Sequence, residues 1–385
     1  MNEVANTKTA PELLEDIMRK LILVILALLL LPAWSFAADE PQVKIGANFF
    51  AGFNYNISGY EEEDPRFGDN DANEFTLDRA RLNVLGALDG GRYFTRVTLD
   101  AFRDSDTGRF ESEVRYAYVG WAPKQFLEFK AGLFDEPYSN LSQKRYRFRA
   151  LGKPFIEEYT YADAAELGVA STIALPKKIG GLSLWAANGE GGRAAEANRG
   201  KEGSAVLLIN PAQAKEAWGT DLGVAGTFRY NKGETIPGPG EDVRMIYGGM
   251  AFLKWQMLNL GFEYLRSSYS FDEDEDPLVG QGYHVFADVE HSTGLGVFAR
   301  YMHWDPTTEN DDAVVSTVTS YTGSGEDIMQ DKDAVDWLVA GLFYQATQYV
   351  RVFGYYQREW YEETDAEDDT IAAEQILGTK LDVNF

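Results

Sequence analysis

Apolar and polar residues alternate with a period of two along nearly the whole chain, and this restricts the fold more than any other feature. In VKIGANFFAGFNY, Val43, Ile45, Ala47, Phe49, Ala51, Phe53 and Tyr55 fall on one side, with Lys44, Gly46, Asn48, Gly52 and Asn54 on the other. Successive side chains of an extended strand point to opposite faces, so one face suits an apolar medium and the other water. The pattern recurs in DRARLNVLGAL, RYFTRVTLDAF, ESEVRYAYVGW, QFLEFKAGLF, AELGVASTIAL and GGLSLWAANG. Nine further stretches follow, the weakest being KEGSAVLLIN at 201–210 and the last EQILGTKLDVNF at the C-terminus, which makes sixteen.

The connections alternate in length. Short turns such as DGG (Asp89–Gly91), EHSTG (Glu290–Gly294) and ATQ (Ala346–Gln348) interleave with long acidic loops, EEEDPRFGDNDAN, FDEDEDPLVGQ, TTENDDAVVSTVTSYTGSGEDIMQ and EETDAEDD. Short turns on the periplasmic side and long outer loops are the arrangement of outer-membrane barrels. The expected fold is therefore all-β: a transmembrane antiparallel β-barrel of about 16 strands in the bacterial outer membrane. A soluble β-sandwich or lectin would also alternate. It would not keep large apolar side chains on one face to the very end, as Leu377, Leu381, Val383 and Phe385 do.

Composition agrees. Tyr, Phe and Trp make up 14% of the chain while mean hydropathy is only -0.31, as expected when each wall strand hides its apolar half by alternation. The formal net charge of -26 argues against a nucleic-acid partner, and the absence of cysteine excludes disulfides, thiolate metal sites and a Cys nucleophile. His284, His291 and His303 are the only histidines, and no HExxH or GxSxG accompanies them. No catalytic residue, metal or cofactor is expected, and the acidic runs lack EF-hand spacing.

The N-terminal MRKLILVILALLLLPAWSFA, Met18 to Ala37, has basic residues, an apolar run too short to span a bilayer, and small residues at Ser35 and Ala37. It is expected to be a secretory leader cleaved before Ala38, with translation starting at Met18. Residues 38–385 then form one barrel domain.

Within a barrel of this size, loops decide how much of the lumen stays open. The loop from about Glu136 to Asp163 joins the fifth and sixth strands and carries Lys144, Arg145, Arg147, Arg149 and Lys153. An inward-folded third outer loop would place these charges at the narrowest point, where KRYRFR, read as extended, separates bases from aromatics. Alternation also turns Arg79, Arg81, Arg96, Arg115 and Lys130 toward the lumen, with Asp100, Glu113 and Glu128 beside them and Asp78 on the other face. Arginine forks suit phosphate and carboxylate groups.

FTLDRARLNVLGALDGGRYFTRVTLD and KAGLFDEPYSN resemble the phosphate-selective porin family of the O/P type, and the similarity continues in strand order to GTKLDVNF. The resemblance implies a homotrimeric outer-membrane channel with an arginine-lined lumen, and it makes Phe385 a signal for the barrel assembly machinery. The expectation is an anion-preferring diffusion channel set in lipid and lipopolysaccharide, passing small anions. The alternatives are a non-selective porin, or a structural or adhesin barrel whose basic loop binds lipopolysaccharide phosphates.

Overall fold

The computed structural model describes residues 41–57, 73–103, 110–159, 161–189, 200–211, 220–234, 241–270, 277–305, 334–361 and 373–385. The leader and its cleavage point lie outside these residues, as do the acidic stretches 61–72, 272–276, 307–330 and 362–369.

The first strands are β1 (Gln42–Asn56), β2 (Glu74–Leu88), β3 (Tyr93–Arg103), β4 (Phe110–Lys124) and β5 (Leu127–Asp135). An inner segment, 136–164, then carries helix α1 (Pro137–Tyr146) and one helical turn, α2 (Phe155–Glu158). Next come β6 (Ala165–Ala174), β7 (Gly180–Ala187), β8 (Lys201–Ile209), β9 (Thr220–Glu234), β10 (Glu241–Trp255) and β11 (Leu258–Ser270). The wall is completed by β12 (Leu278–Glu290), β13 (Leu295–Asp305), β14 (Val335–Thr347), β15 (Val350–Tyr361) and β16 (Ala373–Asn384).

Every strand is antiparallel to its neighbours, and β16 pairs with β1 to close a sixteen-stranded barrel. Closure removes the sheet edges that would otherwise leave backbone groups unsatisfied in lipid. The last residue takes part, since Phe385 N–H donates to the Ala47 carbonyl at 2.9 Å and Ala47 N–H donates back at 3.3 Å. At the β2–β3 turn, Gly90 and Gly91 have φ of 62° and 90°, which a residue without Cβ adopts without strain.

Leu82, Val97, Val119, Val224, Phe262, Val297 and Leu342 point outward and are exposed, giving the wall a continuous apolar exterior. Trp255, Tyr344, Tyr349 and Phe385 are exposed at the short-turn end, where amphipathic rings suit a membrane interface. A closed barrel with this exterior spans a membrane.

Strict alternation fails in two places that matter. Between β1 and β2 the register slips at Phe50/Ala51, leaving Asp78 as the extra residue. Its carboxylate reaches Lys380 Nζ, which also donates to Thr76 Oγ1 at 2.9 Å, so Asp78 joins the inner face that alternation denied it. A second slip between β3 and β4, at Thr98/Leu99, leaves Arg115 unpaired in the ladder, and both Arg115 and Tyr116 are buried.

The larger correction concerns the lumen. Inward positions on β10 to β15 are not wet: Ile246, Phe252, Leu265, Phe286, Phe298, Met302, Trp337, Phe343 and Phe353 are buried in one cluster with Tyr146, Phe148, Leu151, Phe155 and Ile156 of the inner segment. Here rings and aliphatic groups line much of the inner face as well, with Glu263, His284 and Arg300 buried among them, because the inner segment, rather than water, covers the inside.

Candidate functional site

The inner segment leaves β5 through Glu136, whose side chain accepts from Ser139 N–H and caps α1, with Pro137 at the first helical turn. Lys144 and Arg145 occupy the last turn, where cations suit the helix carbonyl end, and Arg147 ends the helix in the left-handed region at φ 66°. The stretch KRYRFR is thus the end of a helix and a tight reversal, not the extended run its alternation suggested.

The reversal lies deep against the far wall. Arg145 pairs with Asp221 at the start of β9, its guanidinium 3.8 Å from the centre of the Phe252 ring. Arg147 lies 2.7 Å from Glu290 and 3.6 Å from Asp288, both at the short-turn end of β12. Arg149 turns back to Glu157 of α2 at 3.0 Å. Between them, the Phe148 ring centre lies 5.2 Å from Phe298 and Phe343 and 5.5 Å from Phe353.

Backbone carbonyls released by the reversal are met by wall side chains, as burial requires. Asn259 donates to the Arg145 carbonyl at 3.2 Å, Arg351 to that of Arg147 at 3.4 Å, and Arg300 to that of Lys153 at 2.5 Å. Arg300 is itself sandwiched by rings, 4.3 Å from the centre of Tyr146 and 4.8 Å from that of Trp337. Gly152 sits beside it with φ 147°, and a Cβ there would come within 2.6 Å of the Trp337 ring.

Lys144 and Lys153 are the two exposed members of the basic loop cluster. Lys153 donates its backbone N–H to Glu158 at 2.9 Å. Lys144 lies within electrostatic reach of Asp135, Lys130 and Arg96 on the opposite wall. Enclosure in the lumen holds its amino group below the usual lysine range; Asp135 opposes this, while Lys130, Arg145 and Arg96 reinforce it.

On that opposite wall, Asp100 takes Arg81 at 2.8 Å and Arg79 at 3.3 Å. Arg115 meets Glu113 at 3.2 Å and Glu157 at 3.6 Å, so the inner segment and the wall share one carboxylate. Lys130 lies 3.1 Å from Asp135 and 3.7 Å from Glu128. Arg96 sits 4.2 Å from the centre of the Tyr116 ring and donates to Asn83 Oδ1 at 3.1 Å.

The ten basic residues singled out in the sequence therefore fall into three sets, with Lys153 exposed apart from them. Arg79, Arg81, Arg115 and Arg149 gather around Asp100 and Glu157, and Arg145 and Arg147 are tied to far-wall acids. Lys144, Arg96 and Lys130 face the remaining polar sector. The counter-ions Asp221, Glu290, Asp288 and Glu157 were missed, although the parity that selected Arg79 also turns Asp221, Asp288 and Glu290 inward. Of the histidines, His284 is buried against Glu263 Oε2 at 3.3 Å, His303 meets Asp336 at 2.9 Å and His291 lies exposed in a turn.

No family model matches the chain, and no curated protein matches it. The resemblance to phosphate-selective porins accordingly rests on the quoted stretches alone. Among solved structures, the outer membrane channel DcaP of Acinetobacter baumannii has a TM-score of 0.60 at 12% identity, covering 91% of this chain and 99% of that one. OprB of Pseudomonas putida gives 0.58 at 10% identity, over 89% of this chain and 94% of that one. The trimer form of OmpT, an outer membrane protein of Vibrio cholerae, gives 0.53 at 11% identity, over 90% and 100%. At such identities the likeness is one of fold.

Proposed function

We propose that this barrel sits in the bacterial outer membrane as a non-enzymatic diffusion channel for small hydrophilic solutes, with a preference for anions. The observation that carries the reading is the position of Lys144: it stands exposed inside a closed barrel, within electrostatic reach of Arg96 and Lys130 as well as of Asp135 on the wall. A charge at a constriction, where water is scarce, acts on a permeating ion more strongly than a charge on the salt-screened rim. The phosphate class of oxyanion suits Arg96, whose planar fork can bond two oxygens.

A second reading, a channel without strong selectivity, is favoured by the carboxylates beside Arg79, Arg81, Arg115, Arg145, Arg147 and Arg149. A rim-exposed loop binding lipopolysaccharide is disfavoured because Arg145 and Arg147 reach inner-wall acids and Arg149 is taken up by Glu157 of its own segment. Cleavage before Ala38, homotrimeric assembly and recognition of Phe385 by the assembly machinery belong to the same proposal. The trimer form of the Vibrio protein supports the assembly state by analogy of fold.

The deciding measurement is ion conductance of the purified protein in a planar bilayer, with the reversal potential in a salt gradient. A reversal potential on the anion side is expected. A cation-side value would overturn the preference, and absence of conductance would overturn the channel.

A further inference from the structure

At the root of α1 two carboxylates share one guanidinium, with the buried Glu136 in electrostatic reach of it. Arg229 Nη2 on β9 lies 2.7 Å from Glu202 on β8 and 2.8 Å from Glu166 on β6. Glu136, wholly buried, lies within electrostatic reach of Arg229 and Glu202. With all three acids ionised the group would carry two uncompensated negative charges away from water, which is costly. Glu136 Oε1 and Glu166 Oε2 are moreover buried without a hydrogen-bond partner among the described residues. Dissociation of a proton is the change that would bring the group to that state.

Glu136 is also the structural start of the inner segment. Its side chain caps α1, and its N–H donates to the Ala164 carbonyl at 3.0 Å, tying the two ends of the segment together. We propose that Glu136 is a proton-operated latch: neutral, it keeps the root of α1 seated against β6, β8 and β9, and ionised, it lets the root open. The apolar reversal around Phe148 remains in place, so the device changes the width of the polar sector without emptying the barrel.

The groups facing Glu136 support this direction. Burial pushes its carboxyl up to about 7, against the pull of Arg229 and of the Ser139 and Tyr138 N–H groups, and Glu202 pushes the same way as burial. Glu263 on β11 also lies within electrostatic reach, as does Asp163 of the neighbouring Glu166. In an opened root, water would return Glu136 to the ordinary glutamate range. The seated form therefore binds the proton more tightly. Its advantage is complete below that ordinary range and is lost as pH rises through about 7. The consequence for conductance rests on the channel reading; the latch itself does not.

The chain has no cysteine, so single thiols report cleanly. Ala164→Cys places one at the buried root and Lys153→Cys one at an exposed position of the same segment. The ratio of their maleimide labelling rates cancels the intrinsic pH dependence of the thiol. Between pH 5.5 and pH 8 the ratio should rise about ten-fold or more with Glu136 present, and stay within about two-fold in Glu136→Gln, which keeps a capping oxygen. A flat ratio with Glu136 present, or an equal rise in Glu136→Gln, overturns the latch. Ala162→Cys, also buried, replaces Ala164→Cys if the latter does not fold. Labelling decides the latch without ion flow, and bilayer conductance decides the channel separately.

Discussion

Arg147 and Glu290 meet at 2.7 Å across 143 positions of sequence, one at the deepest point of the inner segment and the other where β12 reaches its turn. A charge drawn from the sequence as a selectivity element is thus also an anchor. Arg147→Glu should prevent the reversal from seating and cost about 2–4 kcal/mol, because Glu290 and the buried Asp288 would face a third carboxylate. The urea midpoint of the folded barrel measures this, and the swap Arg147→Glu with Glu290→Arg should recover part of the loss.

Lys144 gives the contrasting case. It lies exposed, so Lys144→Glu should leave the urea midpoint nearly unchanged while lowering anion-over-cation permeability several-fold at about 0.1 M salt. Reversal potentials at two ionic strengths separate the effect from rim charge, which fades faster with salt.

Phe148 holds the reversal by packing among Phe298, Phe343 and Phe353. Phe148→Ala leaves a cavity there and should cost about 3–5 kcal/mol. Single-channel recordings should show higher and noisier conductance. A quiet, unchanged conductance would mean that the segment is held by its ion pairs alone.

Acid should loosen the segment through Glu157. Burial works against its charge, but Arg149 and Arg115, with the Ser139 hydroxyl, outweigh burial and hold the carboxyl below the usual range. A group depressed in the folded form stabilises fully above its ordinary range and loses that contribution as pH falls through its folded value. The thermal unfolding temperature should therefore fall at strongly acidic pH, and Glu157→Gln should flatten that acidic limb at the cost of lower stability near neutrality.

Deleting Phe385 removes the mutual backbone bonds with Ala47 and a ring that lies 6.1 Å from Tyr349. Burial of one ring is worth only about 1.5–3 kcal/mol. Outer-membrane levels should nevertheless fall much further than the urea midpoint of whatever barrel assembles, as measured by quantitative blotting beside the unfolding curve.

The wall was legible because its period follows from strand geometry and needs no knowledge of partners. Even the weak eighth strand, placed at 201–210, forms at Lys201–Ile209. The inside was less so. Alternation assigns a side to Phe298 or Phe343 but cannot say whether lipid, water or another segment lies there, and a two-sided apolar strand looks like any buried one. Asp78 was misplaced because a bulge shifts parity by one residue without changing composition. The helix of α1 was missed since PYSNLSQKRY has no apolar stripe: its contacts differ on every side, with Ser142 reaching Glu263 at 3.0 Å and Tyr146 lying beside His284 and Phe286.

The seam between β1 and β16 bears on the order of events in biogenesis. Asn48 and Asn384 stand opposite each other, so the cylinder is complete only when the final strand is in register. Until then the interior is open from the side. Bulky rings such as Tyr146, Phe148 and Phe155 can be laid against β11 to β15 laterally, without threading the mouth. The strand that closes the seam therefore works as a door, and with it open the inner segment needs no passage through the mouth.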